Sequence, residues 1–302
     1  MDINQYSRKG KTKEEKLLDL EHVSAEDITE ILYKARELKL KKQFGEADKT
    51  LEGKKIALIT KHAFAQSRIA FEIAVSELSA YPLVLDLSGT EIESVLKDKD
   101  TALSICSYGI DAFTLDTSVP QDAFVMQDYV KVPVINANGQ DSPVSALATV
   151  FTVWEELGTL KNVNFCMVGD FNAYDKCLVH ALIKLGANVT IVAPRDFAPD
   201  DHLISYCEQY GEINYTDDLI FGIKNADAVY VTPNDFSENY VLNLLAFSFA
   251  KENCLFLHTI PFLRGKEVTN EIVDGKYSKI YKQAENLLHV EKAVLSLIVG
   301  NK

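Results

Sequence analysis

The chain has 302 residues, 47% of them apolar and 25% charged, with a formal net charge of −13. That length exceeds one ordinary core and fits two domains of roughly 150 residues each, while the acidic balance excludes nucleic acid as a partner, because phosphate neutralisation needs clustered Lys and Arg. No apolar leader follows the Lys-rich opening from Arg8 to Lys16, and no apolar run reaches the roughly 18 residues of a membrane helix, which predicts a cytoplasmic protein without a membrane partner.

Taken in chain order, Ser24-Ala-Glu-Asp27 is a capping-box-like start for a helix with apolar residues at Ile28, Ile31, Leu32, Ala35 and Leu38. Short apolar runs at 56–60, 83–87, 112–115 and 132–135 have the length and β-branched content of buried strands. A helical stretch from Pro143 to Leu157 leads to the turn-like Gly158-Thr-Leu-Lys-Asn162. A second series follows, with strand-like runs at 164–168, 188–193, 228–232 and 254–258, and an amphipathic helix from Gln283 to Val299 closes the chain. This rhythm predicts two α/β domains, each doubly wound around a mainly parallel sheet.

The five cysteines form no C-x-x-C pair and the six histidines no H-x-x-x-H pair. Neither a disulfide framework nor a metal site is expected, and no cofactor is. Gly169-Asp170 lacks the rest of a G-x-G-x-x-G dinucleotide fingerprint.

The most informative stretch is Lys61-His-Ala-Phe-Ala-Gln-Ser-Arg-Ile-Ala-Phe-Glu72. A strand, a short turn and a helix N-terminus make an anion site, since free N–H groups and the positive end of the helix dipole converge there. This order of strand, polar loop and Arg-x-x-Phe-Glu resembles the aspartate/ornithine carbamoyltransferase family. So do Val132-Pro-Val-Ile-Asn-Ala137, Leu157-Gly-Thr-Leu-Lys-Asn162, Val168-Gly-Asp-Phe-Asn172, His258-Thr-Ile-Pro-Phe-Leu-Arg-Gly-Lys-Glu-Val-Thr269 and Tyr281-Lys-Gln-Ala-Glu-Asn-Leu-Leu-His289. Six blocks in register point to the ornithine-type branch. The resemblance implies a carbamoyl-phosphate-type domain over 1–150, rejoined by the helix 283–302, and an amino-acid-binding-type domain over 151–282. It also implies a homotrimer, and a cofactor-free transfer in which Arg and His side chains hold the phosphate and polarise the carbonyl.

Against the family's pattern this chain has Phe64 and Gln66 in the phosphate loop, Asp116 for an Arg, Ser142 and Ser145 for the His and Gln of His-Pro-x-Gln, Ala173 for an Asn, Thr259 for a Cys and Leu287 for an Arg. The candidate ligand-binding residues are therefore Gln66, Ser67, Arg68, Asp116, Ser142, Ser145, Asn172, His258 and Thr259, with His258 and Arg68 as catalytic candidates. Arg68 also reads as a plain i,i+4 partner of Glu72, and His258 as a hydrogen-bonded structural histidine. Losing contacts from two Arg and a His removes on the order of 5–9 kcal/mol, while a micromolar site amounts to only about 8 kcal/mol. The expectation drawn from this arithmetic is that ordinary carbamoyl-phosphate-dependent transfer has been lost and an inter-domain cleft takes a neutral or cationic small molecule instead. The alternative is a silent trimeric scaffold or regulatory partner, alone or mixed with an active paralogue. Transfer through a rearranged site stands third.

Overall fold

The computed structural model describes residues 1–60, 65–87, 99–117, 119, 121–139, 141–170, 175–234, 236 and 238–300. It divides into two compact units, one made of Ser7–Ala148 with Leu287–Lys302 and the other of Met1–Tyr6 with Thr149–Asn286.

In the first unit, α1 (Ala25–Gln43) starts at Ser24, whose hydroxyl accepts from the Asp27 amide at 3.0 Å and so satisfies one of the helix's open N–H groups. β1 (Lys55–Thr60), β2 (Tyr81–Asp86), β3 (Ala112–Thr117) and β4 (Val134–Gly139) pair in parallel in the order β2-β1-β3-β4. Ile56, Ala57, Leu58 and Ile59 are all buried, because a parallel strand covered on both faces needs apolar residues on each. α2 (Ala65–Glu77), α3 (Lys99–Ser107) and α4 (Gln121–Tyr129) connect the strands. Ala57, Ile59, Phe113, Leu115, Met126 and Val134 form the core on one side of the sheet.

α5 (Pro143–Leu157) contributes its first residues to this unit and the rest to the other. The second unit's strands β5 (Asn164–Val168), β6 (Asn188–Val192), β7 (Ile213–Thr216), β8 (Ala228–Val231) and β9 (Leu255–His258) are parallel throughout, in the order β7-β6-β5-β8-β9. α6 (Lys176–Lys184), α7 (Asp201–Cys207), α8 (Leu219–Ile223), α9 (Leu244–Phe247) and α10 (Asn270–Val273) complete it. Cys166, Val168, Val192, Val229, Val231 and Phe256 lie in its core. α11 (Ile280–Ile298) begins in this unit and ends in the first.

The doubly wound parallel architecture expected from the sequence is present in both units. β7 is a strand the apolar runs do not reveal: Ile-Asn-Tyr-Thr is an edge strand with only one neighbour, so it carries polar residues. Among the described residues, no helix is long and apolar enough to cross a membrane.

Each sheet has one place where the chain reverses its direction of winding, between β1 and β3 in the first unit and between β5 and β8 in the second. The carboxyl ends of the strands at such a point leave a crevice, which is where open α/β sheets take ligands.

Candidate functional site

The candidate residues fall into two sets, one at the reversal point of each sheet or beside it.

In the first unit, β1 ends at Thr60, Ser67 stands in the first turn of α2, and Asp116 lies near the end of β3. The Ser67 hydroxyl donates to Asp116 Oδ2 at 3.0 Å and the Thr60 hydroxyl donates to the same oxygen at 3.5 Å. Asp116 is 2% exposed. Its pairing partner on β4 is Asn138, whereas the preceding Leu115 pairs with Asn136, so the ladder skips a residue at this point. Such irregularities turn a side chain away from its regular direction beside functional sites.

α11 brings Glu291 to the same region. It is 1% exposed, and neither carboxylate oxygen has a hydrogen-bond partner. Burial, and after it the negative charge of Asp116, push its carboxyl up to about 8.

The remaining candidates of this unit are placed differently. Gln66 is exposed. Arg68 is exposed too, and its Nε donates to Glu72 Oε1 at 2.8 Å, the plain i,i+4 pair. Ser142 is buried as the cap of α5: its hydroxyl donates to Ala137 O at 2.5 Å and accepts from the Ser145 amide at 3.2 Å, with Pro143 at the first helical position. Ser142 and Ser145 are thus joined by a helix cap.

In the second unit, His258 ends β9 with its side chain fully buried. Its Nε2 lies 2.8 Å from Glu267 Oε2, its ring stacks on Phe262 at 4.5 Å, and its Nδ1 has no hydrogen-bond partner. Its backbone amide donates to Gln283 Oε1 at 3.2 Å, and Gln283 Nε2 donates to Thr149 Oγ1 at 2.8 Å, which ties β9 to α11 and α5. An ionised carboxylate only accepts, so Glu267 fixes the ring proton on Nε2 and leaves Nδ1 as the open position.

Thr259 is exposed, and its hydroxyl lies 2.6 Å from that of Tyr230, which donates to Asp175 Oδ1 at 3.0 Å. Burial first, then the Asp175 carboxylate, hold the Tyr230 phenol well above its ordinary range. Gly169, just past β5, has φ 132° and packs against Thr232 after β8. The loop residues 61–64, the segment 88–98 and Asn172 with its neighbours 171–174 lie outside the described residues.

Ser67 and Asp116 are therefore brought together, as are His258 and Thr259 along one strand end. Gln66 and Arg68 join neither set, and the two serines serve the cap of α5. Sequence reasoning missed Glu291, Glu267, Tyr230 and Asp175. Glu291 had a signal: it stands four residues after Leu287 and three before Val294, on the apolar stripe of the last helix, where a carboxylate is out of place. Among the described residues, no group of three or more His, Cys, Asp and Glu side chains is placed to hold a metal ion.

Residues 15–155 match the family model described as the carbamoyl-P binding domain of aspartate/ornithine carbamoyltransferase, and residues 161–298 match its Asp/Orn binding domain. The anabolic ornithine carbamoyltransferase of Pyrococcus furiosus is 32% identical, over 94% of this chain and 96% of that one. The ornithine carbamoyltransferase of Methanococcus aeolicus is 31% identical, over 93% and 98%. Among solved structures, that of Pyrococcus furiosus ornithine carbamoyltransferase superimposes with a TM-score of 0.88 at 32% identity, covering 95% of this chain and 97% of that one. The Thermus thermophilus enzyme gives 0.86 at 26%, covering 95% and 100%.

These relatives overturn the expectation that ordinary transfer has been lost, together with its silent-scaffold alternative, because chains alike over nearly the whole length are named for that transfer. The expectation counted Asp116 only as the loss of an Arg. In the structure, two hydroxyl groups donate to it.

Proposed function

Because this chain belongs to the aspartate/ornithine carbamoyltransferase family, we propose that it transfers the carbamoyl group of carbamoyl phosphate to the side-chain amine of ornithine through a donor site of altered composition. The observation that carries this reading is the 31–32% identity to ornithine carbamoyltransferases across more than nine-tenths of the chain. The amine nitrogen attacks the carbonyl carbon, the bond from that carbon to the phosphate oxygen breaks, and the nitrogen loses a proton. Such a reaction needs orientation and charge stabilisation rather than a cofactor.

In this reading 1–150 with 283–302 holds the donor and 151–282 holds the amino acid. Ser67 and the neighbourhood of Asp116 line the donor side. His258 and Thr259, with Glu267 and Tyr230 behind them, line the acceptor side. Support comes from the two family models, which match carbamoyl-phosphate-binding and amino-acid-binding domains over corresponding ranges.

The test is a citrulline assay with carbamoyl phosphate and ornithine, run beside aspartate as acceptor. Citrulline formation is the expected result. Carbamoyl-aspartate in its place would move the chain to the other branch, and no product from either acceptor would overturn the proposal. We also infer a homotrimer from the resemblance over the first domain. Light scattering at micromolar concentration would then report about three times the 33.7 kDa chain mass, and a monomer mass would refute it.

A further inference from the structure

A tyrosine hydroxyl has a single hydrogen to give, so when it lies between two oxygens the first bond decides the polarity of the second. Tyr230 on β8 is such a group. It is 2% exposed, and its hydroxyl donates to Asp175 Oδ1 at 3.0 Å. Burial, and after it the Asp175 carboxylate, keep the proton on the phenol. Asp175 stands at the N-cap of α6, where an Asp side chain usually accepts from the helix's own amides. Here no such bond forms, and the carboxylate serves Tyr230 instead. With its hydrogen given to Asp175, Tyr230 can only accept at its 2.6 Å contact with the Thr259 hydroxyl. The hydrogen in that contact is therefore the threonine's, and the exposed Thr259 keeps only lone pairs to offer a ligand. Asp175 follows β5, Tyr230 lies on β8 and Thr259 follows β9, so this polarity is built at and beside the reversal point of the second sheet.

Under the proposed transfer, the attacking nitrogen must be held without its lone pair being used. We propose that Asp175 and Tyr230 are positioning residues that fix the Thr259 hydroxyl as a hydrogen-bond acceptor, and that this oxygen selects a substrate whose side chain ends in an N–H-bearing amine. An amine that donates one N–H to Thr259 keeps its lone pair for the carbonyl carbon. A side chain ending in a methyl group leaves the oxygen unpaired, and one ending in a carboxylate sets lone pair against lone pair. A site built to hydrogen-bond one substrate rejects analogues that cannot complete the bond. The role in turnover rests on the transfer reading, whereas the preference for an amine is a matter of binding alone.

The experiment measures citrulline formation at varied ornithine and carbamoyl phosphate, and its inhibition by norvaline, the same skeleton without the side-chain amine. Calorimetry of both amino acids, with and without carbamoyl phosphate, gives binding apart from turnover. The chains compared are the full-length wild type, T259V, T259S and Y230F. The KM for ornithine is expected to rise at least about ten-fold in T259V and to return to within about two-fold of the wild type in T259S. Y230F, which lets the Thr259 hydrogen turn outward, should raise it about three-fold or more. The KM for carbamoyl phosphate and the norvaline constant should stay as they are. Circular dichroism separates a folded variant from a collapsed one, and T259V, at an exposed position, serves if Y230F does not fold. An unchanged ornithine KM in T259V, or equal weakening of ornithine and norvaline, overturns the proposal. Citrulline formation with the same preference for ornithine over norvaline in all four chains would leave the transfer standing and remove this role. A calorimetric preference for ornithine that T259V abolishes, with no citrulline from the wild type, would keep the amine site and remove the transfer. Neither binding nor turnover in the wild type overturns both.

Discussion

His258 Nε2 lies 2.8 Å from Glu267 Oε2, and both side chains are almost wholly shielded from water. A buried donor that loses its acceptor keeps its desolvation cost, so truncation is more damaging than the net worth of the bond. Glu267→Ala is therefore expected to destabilise the second unit by about 3–5 kcal/mol. Glu267→Gln, which retains an acceptor oxygen, should cost only about 1–2 kcal/mol. Urea unfolding of both variants checks this, and equal, small losses would mean that the pair does not hold β9 in place.

Gly169 has φ 132°, a conformation open to glycine and strained for other residues. A Cβ there would collide with Thr232 Oγ1 and come within 3.0 Å of Thr232 O. Since Gly169 follows β5 and Thr232 follows β8, this close approach sets how tightly the two strand ends close at the reversal point. Gly169→Ala should lower stability by about 1–3 kcal/mol and reduce turnover in the citrulline assay. Wild-type stability and turnover in the variant would contradict the tight approach.

Much of this architecture is legible in the residues, and the limits have physical causes. Ser24 marks its helix start because capping is local: a side chain meets an amide three residues on, whatever the rest of the chain does. Ser142 caps α5 in the same way, although the sequence reading offers it only as a ligand candidate. The β7 segment is invisible to a search for apolar runs because an edge strand covered on one side does not need them. Asp116 could be placed beside the phosphate loop, but the hydroxyls of Thr60 and Ser67 that temper its charge come from separate elements. The same holds for Glu267 behind His258. A site assembled from several strand ends leaves its chemistry spread over distant positions, and only the blocks that resemble a known family tie them together.

Asp27 gives the first unit a defined acid response. Burial raises its carboxyl, but hydrogen bonds from the Ser24 hydroxyl, the Lys13 amide and the Thr12 hydroxyl outweigh that, and the folded value lies below the ordinary carboxylate range. A lowered folded pKa means that the unfolded chain binds the proton more readily. The stabilisation is present above the unfolded value near pH 4 and is lost as the pH falls through the folded one. Asp27→Asn should be less stable than the wild type at pH 7, and the gap should close as the pH falls below the ordinary carboxylate range. A gap between the two chains that stays constant through that fall would show that Asp27 contributes nothing through its charge.

The five cysteines are all free and differ sharply in surroundings. Burial, and after it the Asp227 carboxylate, push the Cys254 thiol up to about 12, and burial pushes Cys166 higher still. Cys177 and Cys207 are buried as well, whereas Cys106 on α3 is half-buried, with burial raising its thiol less. Reaction with a disulfide reagent needs both the thiolate and access to it. At pH 8 the folded chain should show one slowly reacting thiol, and Cys106→Ser should remove it. All five should react at once in concentrated urea. Fast labelling of two or more thiols in the folded Cys106→Ser chain would mean that a unit opens far more readily than its buried core implies.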